Sequence, residues 1–323
     1  MIYRTLAMVP AGYGPCAMTI GNFDGVHLAH QRILKRVIEI ARAEGWRSAV
    51  LTFDPHPTKL VSPENTPPLL TTPEKRAALM QALGIDDVLI VPFDSLIAQL
   101  PPEDFAREIL ANKLRARAIL VGENFRFGSK ASGNTQTLEA LGDKYSFETE
   151  VVPTVACRNR IISSTEIRRA IQAGKMTQAW RMLGRPYTLE GEVVRGAGIG
   201  SKQTVPTLNL DTKAEVLPKT GVYVTTTHDF SNPREWPSIT NVGYRPTFNG
   251  HGLTIETFLL APLTGDTPTQ ISVDFLHRLR DERKFESPEA LKSQILQDVA
   301  RAQTFHRLFG KNRAASAQKS PVA

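Results

Sequence analysis

The stretch TIGNFDGVHLAHQ, residues 19–31, decides how the first half of this 323-residue chain is read. The apolar Ala17, Met18 and Ile20 run into Gly21, and an irregular polar turn follows. His27 and His30 then open a segment that carries Ile33, Leu34, Val37, Ile38 and Ala41 at helical spacing. The order reads as strand, tight turn, helix N-terminus. A helix N-terminus offers free N–H groups and a partial positive charge, so it suits a phosphate. Residues three apart meet on one helix face. Two imidazoles placed so can donate hydrogen bonds to a nucleotide's phosphates and to a pyrophosphate leaving group. A zinc site is a poorer reading. Neither Cys16 nor Cys157 lies near the pair in sequence, and no third ligand has metal-site spacing.

Working outward, the first half alternates strand and helix signals. Apolar runs at 16–20, 49–53, 88–93, 118–121 and 151–155 are separated by helical patterns at 27–43, 73–83 and 102–114. Proline stands at or near the start of the last two helices, where it is favoured. Strands buried on both faces read as continuous apolar runs with helices crossing over between them. The pattern predicts a Rossmann-like, doubly wound α/β domain over 1–184, with its site at the carboxyl ends of the strands. Gly21, Asp54 and Gly122 each follow such a run.

After Gly184 the pattern changes. Short strands at 189–195, 221–227, 238–242, 253–260 and 270–276 follow one another without crossover helices. They predict a small antiparallel barrel or sandwich over 185–310. One helix closes it: Ser287 caps, Pro288 takes the first position, Leu291, Ile295 and Val299 form a stripe, and Gly310 follows the end. Residues 311–323 read as a disordered basic tail.

Composition narrows the class. Hydrophobic residues make up 41% of the chain, enough for real cores. No run of 18 apolar residues predicts a membrane span, and the first residues lack a secretory pattern. Two distant cysteines fit a reducing cytoplasm better than a disulfide framework. The net charge of +7 is concentrated: Arg301, Arg307, Lys311, Arg313 and Lys319 stand in a C-terminal stretch without an acid. A second basic cluster runs from Arg158 to Arg185. Nucleic acid is therefore not expected as a partner; an enzyme that binds polyphosphates needs such charge anyway.

The two histidines resemble the HxGH signature of nucleotidylyltransferases, with Ala29 where the signature has glycine. The flanking GNFDGVH narrows the resemblance to the FMN adenylyltransferase module of bacterial bifunctional riboflavin kinase/FAD synthetases. Three further segments match that module. TFDPHP, 52–57, brings Phe53 and His56 to a strand end; a plain rigid turn is its other reading. VGENFRFGSKASG, 121–133, brings Asn124, which replaces the family's usual aspartate, and Phe125 and Phe127, which face either a flavin or adenine ring or the core. ISSTEIRRAI, 162–171, opens as a capping box from Ser163 to Glu166. The resemblance implies that Ser163, Ser164, Thr165 and Arg168 hold the β- and γ-phosphates, with Gly21, Asn22, Phe23, Asp24, Gly25 and Asn124 at the nucleotide. It implies that His27 and His30 are catalytic and that Phe53, His56, Phe125 and Phe127 contact flavin.

The second half resembles riboflavin kinase. The loop GEVVRGAGIGSKQTVPTLNL, 191–210, holds Gly191, Gly196, Gly198 and Gly200, and such glycines let backbone N–H groups approach phosphates. Thr207 and Asn209, two apart on a strand, share a face, and their oxygens suit Mg²⁺. The resemblance implies that they bind magnesium with ATP. The lead-in 200–205 and Leu208 depart from the family pattern, and Lys202 supplies a positive charge there. TIETFLL, 254–260, places Glu256 at the family's catalytic glutamate, on one strand face with Phe258 and Leu260. A carboxylate on an apolar face is either paired or functional. Of Arg278 and Arg280, Arg280 matches the family's flavin-side arginine.

The resemblance covers residues 17–302. It implies a cytoplasmic bifunctional enzyme, monomeric or weakly self-associating, that turns riboflavin and ATP into FMN and then FMN and ATP into FAD. The rival readings are a chain with one active module, the kinase being the weakened one, and a non-catalytic flavin- or RNA-binding regulator. Retention of His27, His30, Thr207, Asn209 and Glu256 together argues against the last.

Overall fold

The structure is a computed structural model describing residues 1–158, 160–194, 207–247 and 250–317, with side chains described for all of these except 245–247, 250–252, 309 and 311–317. The chain divides into two compact units, Met1–Glu166 and Ile167–Ala323.

In the first unit, strands β1 (Ile2–Tyr3), β2 (Cys16–Ile20), β3 (Arg47–Asp54), β4 (Asp87–Pro92), β5 (Ala116–Gly122) and β6 (Glu148–Val152) form one parallel sheet ordered β1-β4-β3-β2-β5-β6. The chain steps from β2 through β3 to β4 on one side, then returns to lay β5 and β6 on the other. The order reverses beside β2, so the ligand crevice belongs at the carboxyl end of β2. Helices α1 (Leu28–Glu44), α2 (Thr58–Val61), α3 (Pro73–Ala82), α4 (Ser95–Gln99), α5 (Pro102–Asp104) and α6 (Thr135–Tyr145) connect the strands. α5 runs on as a π-helical stretch, Phe105–Lys113, in which Leu114 N–H reaches back five residues to Ile109 C=O at 2.9 Å.

Strand alternation feeds two cores. Cys16, Met18, Leu51 and Ile119 pack on one face with Leu110 and Leu138. Ala17, Val50 and Leu120 pack on the other with Leu34, Val37 and Met80 of α1 and α3. All five residues of β2 are buried, as the continuous apolar run requires. β6 lies three residues earlier than its apolar run suggested. Pro153, which has no N–H for a ladder, follows its last residue.

Helix α7 (Ser164–Gln172) crosses the boundary between the units, after a small hairpin of β7 (Ala156–Cys157) and β8 (Arg160–Ile161). The second unit adds α8 (Met176–Leu183) and six antiparallel strands. These are β9 (Tyr187–Val194), β10 (Thr207–Asp211), β11 (Gly221–Asp229), β12 (Glu235–Thr247), β13 (Gly250–Leu259) and β14 (Gln270–Arg280). They close into a barrel in the order β10-β13-β12-β11-β14-β9. Closure removes the free edges that an open sheet would expose. Its interior includes a chain of hydroxyls: Thr225 bonds Ser238 and Thr240 at 2.8 Å each, and Thr240 bonds Thr257 at 3.0 Å. Each partner satisfies the other, so the polar interior is tolerated.

Outside the barrel, Val222, Val224, Ile239 and Leu276 pack with Ala302 and Val299 of α9 (Pro288–Ala317) and with Trp180 of α8. Ser287 Oγ accepts Ala290 N–H at 3.1 Å, the expected cap. The expected stop at Gly310 is not observed: α9 continues to Ala317. Gly310 does not adopt the left-handed conformation that caps a helix, and alanines at 314, 315 and 317 favour continuation.

Within the second unit α8 packs on β14 and β9. A fragment beginning at Ile167 should melt at least about 5 °C above one beginning at Arg185, since the shorter one loses the Trp180 packing. Equal melting temperatures by circular dichroism would show that α8 adds nothing to the barrel.

Candidate active sites

At the carboxyl end of β2 the chain turns sharply. Phe23, Gly25 and Val26 all adopt positive φ, at 50°, 80° and 40°. For Phe and Val such φ values are strained and persist only where the surroundings hold them. Asp24 does much of that holding. Its carboxylate is 3% exposed and accepts from Leu70 N–H at 3.0 Å, Thr71 N–H at 3.1 Å and Thr71 Oγ1 at 3.2 Å. Thr71 Oγ1 accepts from Gly25 N–H at 3.0 Å. On the other side, Ser164 Oγ donates to Asp24 C=O at 2.9 Å. The Asp24 carboxylate thus braces the turn by accepting from the 70–71 backbone.

Asn22 is the second hub. Its Nδ2 lies 2.9 Å from His56 Nε2, and His56 Nδ1 lies 2.7 Å from Thr58 Oγ1. His56 thus braces the turn from the β3 side, so its ring nitrogens are engaged. Asn22 C=O accepts from Thr52 Oγ1 at 3.2 Å and from Arg76 Nη1 at 2.5 Å. Gly21 N–H donates to Leu51 C=O at 3.1 Å, so it extends the sheet pairing.

His27 is the N-cap of α1, its Nδ1 accepting from His30 N–H at 3.4 Å. The two imidazoles stack, 3.5 Å between centroids and 16° between planes, and Phe23 packs edge-on to His30 at 5.1 Å. His30 Nδ1 is buried with no hydrogen-bond partner. Burial first, then His27, then the Arg76 cation hold the His30 ring neutral, well below its ordinary range.

The remaining expected residues separate. Ser163 Oγ accepts Glu166 N–H at 3.3 Å as a cap, and Thr165 stays exposed at the start of α7. Arg168 is buried, and Asn124 is exposed beyond the end of β5. Phe53 is half-buried against Phe93. Of the two aromatics, Phe127 is 7% exposed and packs in the core between Phe105 and Phe125. Phe125 is left half-buried. Arg76 went unread in the sequence, although it shares a helix face with Met80, four residues on.

In the second unit the barrel register aligns a row of polar groups. Asn209 pairs with Glu256, Glu256 with Asn241, Asn241 with Val222 and Val222 with Arg280. Paired residues present one face, and here it is the outer one, since Ile255, Thr257 and Leu259 are buried on the other. A cavity of about 320 Å³ opens on this row. Val222, Ile239, Phe258, Phe285, Leu291 and Ile295 give it apolar walls, and Thr207, Glu256 and Arg280 line it too. The slot accepts a flat apolar ring with a carboxylate at its side. Arg280 is already matched: Nη2 pairs with Asp298 at 2.8 Å, and the guanidinium lies over Phe285 at 5.7 Å. Arg278 turns away, donating to Thr220 C=O and to Asp281. Gly196, Gly198, Gly200 and Lys202 lie outside the described residues.

A parallel sheet with a braced anion turn at its switch point, joined in one chain to a closed barrel bearing a carboxylate-flanked cavity, defines a nucleotide-using transferase of two catalytic units. Comparison with known proteins makes this specific. Residues 10–166 match the FAD synthetase family model, and residues 183–306 match the riboflavin kinase model. The bifunctional riboflavin kinase/FMN adenylyltransferase of Pseudomonas fluorescens is 36% identical, over 89% of this chain and 92% of its own. That of Escherichia coli K12 is 32% identical, over 91% and 93%. This chain belongs to the bifunctional riboflavin kinase/FMN adenylyltransferase family. A crystal structure described as a macrolide-efflux protein from Streptococcus pneumoniae is similar at 26% identity, with a TM-score of 0.83 over 94% of this chain and 98% of its own. Among the described residues no helix is long and apolar enough to cross a membrane.

Two outcomes follow from the braced turn. Asp24→Ala orphans the buried N–H groups of residues 70 and 71. It should cost about 2–4 kcal/mol in chemical denaturation; a loss below about 1 kcal/mol would remove its anchoring role. For His30, the unfolded ring protonates near 6.5 while the folded ring stays neutral. The unfolded state then binds more protons below that pH, so stability is present above it and falls as pH drops from about 7 to about 5. In His30→Gln the fall should be shallower, as read by melting temperature against pH.

Proposed function

We propose that this chain makes FMN from riboflavin and ATP in its second unit and FAD from FMN and ATP in its first. Membership of the family supports both steps, and the geometry of the two sites fits each. The single observation that carries the kinase step is the row Asn209–Glu256 beside the apolar cavity. The isoalloxazine ring fits between Phe258, Ile239 and the α9 side chains, which brings the ribityl 5′-hydroxyl towards Glu256. Glu256 takes the hydroxyl proton, the oxygen attacks the γ-phosphorus of ATP, and ADP leaves.

Mg²⁺ belongs to this reading. Among the described residues no cluster of three His, Cys, Asp or Glu would hold a metal alone. The hydroxyl of Thr207 and the amide oxygen of Asn209 are hard, neutral donors that suit a magnesium ion arriving with nucleotide phosphates. The ion would supply charge neutralisation at those phosphates.

In the first unit, a phosphate oxygen of FMN attacks the α-phosphorus of ATP, the bond to the bridging oxygen breaks, and pyrophosphate leaves. No protein nucleophile is needed. The turn, the α1 N-terminus, His27 and His30 position the phosphates and stabilise the developing charge. Ser163, Ser164, Thr165 and Arg168 stand at the α7 start for the same polyphosphate. A cytoplasmic setting, where ATP is available, agrees with the two free cysteines.

Incubation with riboflavin and Mg-ATP should give FMN and then FAD, with flavins resolved by chromatography. FAD from supplied FMN without FMN from riboflavin would leave an adenylyltransferase alone. His27→Ala should lower FAD formation about a hundredfold or more and leave FMN formation nearly unchanged. Glu256→Gln should lower FMN formation while riboflavin still binds. Wild-type FAD synthesis by folded His27→Ala, or wild-type FMN synthesis by folded Glu256→Gln, would remove the role assigned to that residue.

A further inference from the structure

Arg76 is the largest fully buried side chain of the described residues, 2% exposed on α3. A cation so placed is normally paired with a carboxylate. Among the described residues Arg76 has none within ion-pairing distance. Its two bonds go to main-chain carbonyls: Nη1 to Asn22 at 2.5 Å and Nη2 to Phe53 at 3.3 Å. Its Nε is buried with no partner. Asn22 follows β2 and Phe53 lies near the end of β3, so the guanidinium fork spans the carboxyl ends of the two adjacent strands whose turns form the candidate adenylyl-transfer site.

For stability alone this is a poor arrangement. Burial depresses the ionisation of Arg76, and only the more distant Asp24, Asp54 and Glu74 favour its charge. Two carbonyls do not offset the desolvation of a full charge. Adenylyl transfer explains the retention. The substrates bring several negative charges to a turn whose β2 and β3 ends must stay in register. A planar fork with fixed spacing holds two acceptors at once, which a lysine ammonium cannot reproduce. The same charge lies close enough to His30 to favour its neutral ring.

We propose that Arg76 is a positioning residue for adenylyl transfer. It locks the turn after β2 to the end of β3 and sets a buried positive charge beneath the bound polyphosphate. Its effects on the reacting groups act through the Asn22 and Phe53 backbone and through His30, without contact with the substrate. The proposal rests on the reading of the first unit as the FAD-forming site.

Two variants separate geometry from charge. Arg76→Lys keeps the charge and loses the fork. Arg76→Gln loses the charge. Both are assayed in the full chain for FAD formation from FMN, with FMN formation from riboflavin in the same sample as the internal reference. Inorganic pyrophosphate is the binding probe, read as a rise in melting temperature. In both variants kcat for FAD should fall at least about tenfold, as expected when transition-state donors are misplaced, while FMN formation stays within about twofold. Pyrophosphate should still raise the melting temperature of Arg76→Lys, and should protect Arg76→Gln much less than wild type. FAD formation within about twofold of wild type in folded Arg76→Lys would overturn the proposal. So would a parallel fall of FAD and FMN formation, which marks loss of folded protein only. Pyrophosphate protection that is equal in wild type and Arg76→Gln would remove the charge role. If Arg76→Gln does not fold, Arg76→Lys alone decides the positioning role by its ratio of FAD to FMN formation. Wild type that binds pyrophosphate but makes no FAD would count against the adenylyl-transfer reading, and the binding comparison would still test the Arg76 charge.

Discussion

The Asp24 carboxylate is the constraint on which the first site depends. A β-strand that ends at Ile20 and gives way to a helix at Leu28 must turn within a few residues, and it does so through positive-φ Phe23, Gly25 and Val26. Those conformations cost energy and would relax if nothing opposed them. The buried carboxylate opposes them by accepting from the 70–71 backbone, and Ser164 holds the Asp24 carbonyl from the α7 side. Once the turn is fixed, His27 caps α1, and the cap sets the stack with His30. The order of causes runs from one carboxylate to the turn, from the turn to the helix start, and from the helix start to the imidazoles.

In the second unit the corresponding constraint is strand alternation in a closed barrel. Side chains at successive positions point to opposite faces. Thr257 therefore enters the hydroxyl chain of the interior, while its neighbours Glu256 and Phe258 face the cavity outside. A slip of one residue would bury the carboxylate among hydroxyls and push Thr257 outward. Pairing on both sides of β13, with β10 and β12, forbids that slip. The outer face would be open to water without α9, whose Leu291 and Ile295 complete the apolar walls.

Much of this was legible in the residues. The run 16–20 is buried as a strand because four of its five residues are apolar and leave no solvated face to offer. A helix opening at His27 and His30 followed from their position before a 3.6-residue stripe, while the capping role of His27 did not. Thr207 shares a face with Asn209, and Glu256 with Phe258, because strands have a period of two. Some surroundings were not legible, for equally physical reasons. Phe127 looks the same in sequence whether it meets a ligand or the core, and only the packing against Phe105 and Phe125 decides. Asp24 looks like a site residue, and its partners Leu70 and Thr71 lie too far along the chain to be inferred. Gly310 was read as a stop, although glycine ends a helix only where the backbone turns left-handed.

By itself, then, the sequence determined which segments are strands and helices, which faces they bury, and which residue types stand at their ends. These depend on local periodicity and propensity, properties of neighbours along the chain. Only the tertiary structure decided that Arg76 reaches the Asn22 and Phe53 carbonyls from another helix, and that Asp24 anchors a distant loop. It alone joined α9 to the barrel to make a cavity. Each of those is a contact between residues far apart in sequence. Its free energy comes from burial and hydrogen bonds that exist once the layers have packed, and no local pattern encodes it.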